Sequence, residues 1–205
     1  MIPVKFKQAW DNWQKNPVVT QRSVPEEVKW AIITSYPNKF LVETGTAVAD
    51  TILHVHEFFD EIHSFELMET YFDVAKRNTA GLKNVFFHNS SSADEQFAFI
   101  VSTLDAPATF YLDAHYSGEG TGKDLNLETP DVPVRQELKT ILASPFDNVI
   151  IIDDARCFSG ESEWSSDYVG YPTAEEIQDI VGDRYILQRV ADSFVLTNKE
   201  QRWTA

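Results

Sequence analysis

Tyr185-Ile-Leu-Gln-Arg-Val-Ala-Asp-Ser-Phe-Val-Leu-Thr-Asn198 reads as two strands, 185–190 and 193–198, with only Ala191 and Asp192 between them. Two residues can turn an antiparallel hairpin, whereas a parallel crossover needs about a dozen. Upstream, the spacing is the opposite. Short apolar runs at 39–43, 62–66, 85–88, 108–113 and 148–153 alternate with helical patterns at 48–59, 68–78, 92–104 and 132–143. Strands separated by helices of that length make βαβ units and a parallel sheet. Apolar runs such as Val149-Ile-Ile-Ile152 suit a sheet covered on both faces. The expected fold is α/β: a Rossmann-like, doubly wound, mostly parallel seven-stranded sheet with an antiparallel C-terminal hairpin strand. A doubly wound dehydrogenase sheet would be parallel throughout.

Local signals mark the element boundaries. Val48, Ile52, Val55 and Phe59 recur at helical spacing, and Gly81 stops the helix that starts at Met68. Ser92-Ala-Asp-Glu95 and Thr173 to Glu176 read as capping boxes, the second opening a last helix. The first 38 residues stand apart. Trp10 and Trp13 lie one turn apart, and Ser23 with Pro25 can open a helix through Tyr36. This segment, 1–38, is expected to be a helical cap on the sheet or a lid over an acceptor, with 39–205 as the single globular domain.

The chain's 205 residues and 43% hydrophobic content suit one globular domain, with no need of a disulfide or metal staple. Seventeen Lys and Arg against 32 Asp and Glu give a net charge of −15, which argues against nucleic acid and anionic membrane surfaces as partners. No 18-residue apolar run predicts a membrane span. Cys157 is the sole cysteine, and Met1 to Trp13 lacks the apolar stretch of a signal peptide, so the expected location is cytoplasmic. The sequon Asn89-Ser90-Ser91 is then a coincidence. The sequence assigns no oligomeric state.

In open α/β sheets ligands bind beyond the carboxyl ends of the strands. Here those ends carry Glu43, Glu66, Asn89-Ser90, Asp113 and Asp153-Asp154, more polar groups in register than packing alone would select. Gly45 lets the backbone turn close to a ligand, and Glu66 follows it by 21 residues, the spacing at which an acid meets a ribose diol. The turn lacks the second and third glycines of a pyrophosphate loop, and Glu43 would repel phosphate; an acid there suits a cationic ligand. Gly118-Glu-Gly-Thr-Gly-Lys123 fails the P-loop pattern at both ends, with Ser117 and Asp124 in the wrong places. It is expected to form a flap over the acceptor. His54 and His56 are two apart on a helix and point to opposite faces, as packing residues rather than ligands.

Val42-Glu-Thr-Gly-Thr-Ala-Val-Ala-Asp-Thr51 resembles motif I of the class I S-adenosylmethionine-dependent methyltransferases, and Phe65-Glu66 resembles their ribose-binding acid. Phe110-Tyr-Leu-Asp-Ala-His-Tyr-Ser-Gly118 and Val149-Ile-Ile-Ile-Asp-Asp-Ala-Arg156 are similar to the fourth- and fifth-strand motifs of the sugar and glycan O-methyltransferases of polysaccharide and natural-product clusters. The likeness covers about residues 40–198. It departs at Ala49, where motif I often has its last glycine, so the helix is expected to sit slightly farther from the sheet.

The resemblance implies S-adenosylmethionine as cofactor and a sugar or glycan acceptor. Thr44, Gly45 and Thr46 would meet the methionine moiety, with Glu43 near its amino group. Glu66 would hold the ribose hydroxyls, Leu67 would pack on adenine, and Asn89 and Ser90 would lie near the base edge. Asp113 would mark the catalytic end of the fourth strand and belong to the cofactor-binding set as well. Cation-using members of this group place one carboxylate after strand four and an Asp pair after strand five, implying Asp113, Asp153 and Asp154 as Mg²⁺ ligands. Hard oxygen donors suit that ion, which would orient two hydroxyls and lower the pKa of one. The competing reading has Asp154 capping its loop and Asp153 binding cofactor or backbone.

His115 is a candidate general base near neutral pH, with Asp113 its rival. Trp164, Tyr168 and Tyr171 offer flat faces for a sugar ring or cover for the core; Tyr116 and Arg156 complete the acceptor-side candidates. Two other classes fit part of the pattern. A metal-dependent hydrolase would use Asp113, His115, Asp153 and Asp154 without a methyl donor, and a non-catalytic glycan-binding module would bind without turnover.

Overall fold

A computed structural model describes residues 1–17, 24–118, 121–128, 131–158 and 170–203. Seven strands form one sheet: β1 Phe40–Thr44, β2 Glu61–Phe65, β3 Val85–His88, β4 Ala108–Leu112, β5 Val149–Ile152, β6 Ile186–Val190 and β7 Ser193–Thr197. Their order is β3-β2-β1-β4-β5-β7-β6. β1 to β5 are parallel, and β7 runs antiparallel between β5 and β6. The hairpin forms as expected, with Ala191 in the left-handed conformation that so short a turn requires.

Strand side chains alternate between two cores. Val42, Phe110, Ile150 and Ile152 face α5 (Glu95–Thr103), α6 (Val134–Leu142) and α8 (Ala174–Val181), where Phe97, Leu138, Ile141 and Ile177 complete the packing. Leu41, Ile62, Tyr111, Val149 and Ile151 face the other way, onto α3 (Asp50–Val55), α4 (Glu69–Asn78) and two N-terminal helices, α1 (Val4–Lys15) and α2 (Glu26–Ile33). Each large apolar side chain so buried contributes roughly 1.5–3 kcal/mol. Phe6, Trp10, Val28 and Ile32 are part of this second core, so the N-terminal helices pack against the sheet itself. Ser23, the expected helix opener, lies outside the described residues; α2 begins after Pro25, with Glu26 and Glu27 in its first turn.

Two boundaries differ from expectation. The helix expected over 48–59 is shorter, because Ala47 and Ala49 take positive φ and keep Val48 in the loop; a 3₁₀ turn at His56–Phe58 follows it. Ala49 is fully buried and holds a left-handed conformation that a glycine would take without strain. At α5 the cap is Asp94, whose side chain accepts from the Gln96 and Phe97 amides, rather than a box opened by Ser92. The Thr173–Glu176 box forms in full. Among the described residues no helix is long and apolar enough to cross a membrane.

Candidate functional site

The C-terminal ends of β1, β2 and β4 are tied together by backbone. The Gly45 and Thr46 amides donate to the Phe65 carbonyl at 2.9 and 3.3 Å, and the Asp113 amide donates to Thr44 at 3.0 Å. Gly45 has φ +83°, and a Cβ there would lie 2.3 Å from the Asp113 carbonyl oxygen, so no other residue fits. Beyond this knot opens a cavity of about 240 Å³, lined by Gly45, Ala47, Glu66, Leu67, Ser90, Asp113 and His115 among others.

Glu66 sits on one wall. Its two carboxylate oxygens accept from the Ala47 and Met68 amides, each at 2.8 Å. Burial raises its pKa against the pull of those amides. Asn89 is exposed and braces this wall from outside, its amide donating to the Glu66 carbonyl at 2.8 Å. Glu43 stands behind the loop, 1% exposed, accepting from Ser64 Oγ at 2.5 Å. Burial pushes its pKa up to about 8. Thr46 joins the same buried chain through Ser64 at 2.6 Å. Thr44 is also buried.

The opposite wall is the loop after β4. Thr121 closes a turn onto Gly118, and a side chain at Gly122 would run into Met68 and Leu67. Of the expected flap, Thr121 and Gly122 line the cavity, while residues 119 and 120 lie outside the described residues. Tyr116 lies under Lys123, whose ammonium is 4.0 Å from the ring centroid. Tyr171 meets His115 edge-on at 6.0 Å and Phe158 at 5.0 Å. Trp164 and Tyr168 lie outside the described residues.

His115 is buried between two acids. Nδ1 lies 3.4 Å from Asp113 Oδ1 and Nε2 lies 3.1 Å from Asp154 Oδ2. Burial alone would lower its pKa, but the Asp154 hydrogen bond and the Asp113 charge outweigh burial and raise it to about 9. Of the two candidate bases, His115 is 5% exposed at its side chain and Asp113 is partly open, at 31%. The buried side of the Asp113 carboxyl, then the charge of Asp153, raises its pKa above the ordinary value, which makes the ionised form a stronger proton acceptor.

The two aspartates after β5 diverge. Asp153 is fully buried; its Oδ2 accepts from Lys29 Nζ at 2.7 Å and from Tyr111 at 2.8 Å, and its Oδ1 from Ser193 at 3.2 Å. Asp154, in the left-handed conformation, turns back to His115 and to Arg156 Nη1, 2.6 Å from Oδ1. Arg156 also pairs with buried Asp192 of the hairpin turn, so its guanidinium faces inward. Among the described residues, the oxygens of Asp113, Asp153 and Asp154 do not all lie within 4.8 Å of one another as a set of metal ligands would. Cationic Lys29, Arg156 and His115 hold these acids, and the donor set does not fit a hard Mg²⁺ ion.

Sequence reading missed Lys29, Tyr111, Asp192 and Glu137. Lys29 lies on α2, outside every motif, and only packing brings it under β5. Glu137 of α6 is a buried carboxyl; burial raises its pKa to about 7, although the Ser92 and Thr44 hydroxyls pull it down. The one available signal was an acid at an otherwise apolar position of a strongly amphipathic helix.

No protein-family profile matches the chain. No curated protein matches it either. Solved structures do. The S-adenosylhomocysteine-bound methyltransferase PaMTH1 of Podospora anserina superposes with TM-score 0.57 at 13% identity, over 97% of this chain and 89% of that one. The N-methyltransferase NodS of Bradyrhizobium japonicum, in complex with S-adenosylhomocysteine, gives 0.52 at 10% identity, over 83% and 84%. A Staphylococcus aureus protein assigned as a caffeoyl-CoA O-methyltransferase gives 0.54 at 14%, over 96% and 93%. The chain has the Rossmann-like fold of the class I methyltransferases. At these identities the likeness speaks for the fold and not for the reaction.

Proposed function

We propose that the chain is an S-adenosylmethionine-dependent O-methyltransferase whose acceptor is a sugar hydroxyl of a glycan or glycoside. One observation carries the reading: a cavity at the strand ends joins Glu66 and the Gly45 turn on one wall to Asp113, Ser117, Thr121 and Asp124 on the other. The donor side fits the cofactor. Each Glu66 oxygen accepts one amide and retains lone pairs for a diol. Leu67, 40% exposed at the rim, offers an apolar face for a base, and Ser90 lines the same wall. The tight Gly45 turn lets backbone approach the methionine end, and Glu43 keeps a carboxyl behind that turn.

When bound, the cofactor supplies an electrophilic methyl group on a cationic sulfur. The chain supplies the rest. Asp113 accepts the acceptor hydroxyl's proton, and His115, fixed between Asp113 and Asp154, holds that carboxylate in place. Ser117, Thr121 and Asp124 on the cavity wall offer hydrogen bonds to a polyol. Catalysis then rests on alignment and on a dry site. No step runs through Mg²⁺, because Asp153 is committed to Lys29.

The test is transfer of labelled methyl from S-adenosylmethionine to a panel of free sugars and glycosides. Asp113→Asn is expected to slow turnover about 10²–10⁴-fold, the usual worth of a general base, with S-adenosylhomocysteine still bound. Label appearing on protein or nucleic acid and on no sugar would contradict the acceptor assignment.

A further inference from the structure

We infer that His115, Asp154 and Cys157 form a site for a borderline-soft divalent cation of the zinc class, between the β4 loop and α7 (Ala155–Phe158). One donor atom from each lies within 4.8 Å of the other two, and His115 and Cys157 are buried. An imidazole, a carboxylate and a thiolate are the donor set that Zn²⁺ favours, commonly with a fourth position left for water or substrate. This is not the hard-oxygen trio of Asp113, Asp153 and Asp154.

The surroundings are arranged as ligand support. Asp154 presents Oδ2 to His115, while Arg156 holds the other oxygen, Oδ1. A cation can therefore take Oδ2 without breaking the Arg156 pair. Asp113 Oδ1 faces the remaining ring nitrogen, Nδ1, at 3.4 Å. A carboxylate behind a histidine fixes its tautomer and raises its basicity, the arrangement commonly found behind zinc-bound imidazoles. The left-handed backbone of Asp154 turns its side chain toward His115, and the Cys157 amide donates to the Asp154 carbonyl at 2.8 Å, setting the thiol on the same short turn. On binding, the cation replaces the hydrogen bond between His115 and Asp154, and protons leave the imidazole and the thiol. His115 also lines the cavity, so the ion would sit beside the acceptor loop. Nothing in this inference requires methyl transfer.

The test is anaerobic titration of the full chain with Co²⁺, read by absorption and reversed with Zn²⁺. One equivalent with a thiolate-to-cobalt charge-transfer band is expected, displaced by Zn²⁺ and not by Mg²⁺. The chain has one cysteine, so such a band can arise only at Cys157. Asp113→Asn should keep the band while weakening affinity about 10–100-fold, and His115→Gln should abolish tight binding. Absence of the band in the wild-type chain would overturn the inference, as would His115→Gln that folds and binds Co²⁺ unchanged. Cofactor binding by the same sample, measured separately, distinguishes failure of this site from failure of the methyltransferase reading.

Discussion

Both oxygens of Glu66 already accept a backbone amide, so a ribose diol would bond to the lone pairs that remain. Hydrogen bonds to a charged acceptor contribute about 1.5–3 kcal/mol each. Glu66→Ala is therefore expected to weaken S-adenosylmethionine affinity at least about tenfold in calorimetry; unchanged affinity would remove the ribose role. Gly45→Ala adds a Cβ 2.3 Å from a backbone oxygen at φ +83°. Backbone cannot give way as a flexible side chain can, and the left-handed conformation alone costs about 1–2 kcal/mol. A loss of more than about 2 kcal/mol in urea unfolding is expected. Glu43 gives a pH signature. Its folded pKa of about 8 lies above the ordinary 4.5, so the folded state holds a proton that the unfolded chain releases. Its contribution to stability is present below pH 4.5 and is lost as pH rises toward 8. Glu43→Gln should flatten that decline relative to wild type; parallel curves would show that the carboxyl ionises normally.

Helix α2 shows how an element outside the recognisable motifs shapes the site. Its Lys29 is the cation that holds Asp153, and without it a fully buried carboxylate is left with Tyr111 and Ser193 alone. Breaking such a pair from one side costs about 3–5 kcal/mol. Lys29→Met should lose that much by denaturant unfolding, and adding Asp153→Asn should restore part of it. No recovery would mean that the lysine acts by packing alone. Elements with strong local signals were legible: the Thr173 box, the two-residue hairpin and the apolar β5 all formed where the sequence put them. The α3 start was not, because two alanines hold positive φ, a conformation that tertiary contacts impose and alanine does not advertise.

At the scale of the molecule, the sheet order follows from the alternation of strands and helices, with the closing hairpin fixing the antiparallel end. Strand-end acids could be read as a row, but their partners could not. Which way Asp153 and Asp154 turn depends on a left-handed residue, on Lys29 some 120 positions earlier, and on Asp192 in the hairpin turn. A sequence lists the carboxylates and is silent on the cations that neutralise them. This is why the Mg²⁺ trio looked plausible in the chain and does not assemble in the fold. Whether this fold carries a cofactor site at Gly45 and Glu66 is decided by isothermal titration of the wild-type protein with S-adenosylmethionine and S-adenosylhomocysteine, with and without Mg²⁺. Stoichiometric micromolar binding, indifferent to Mg²⁺, is the predicted result; no heat from either ligand under either condition would contradict it.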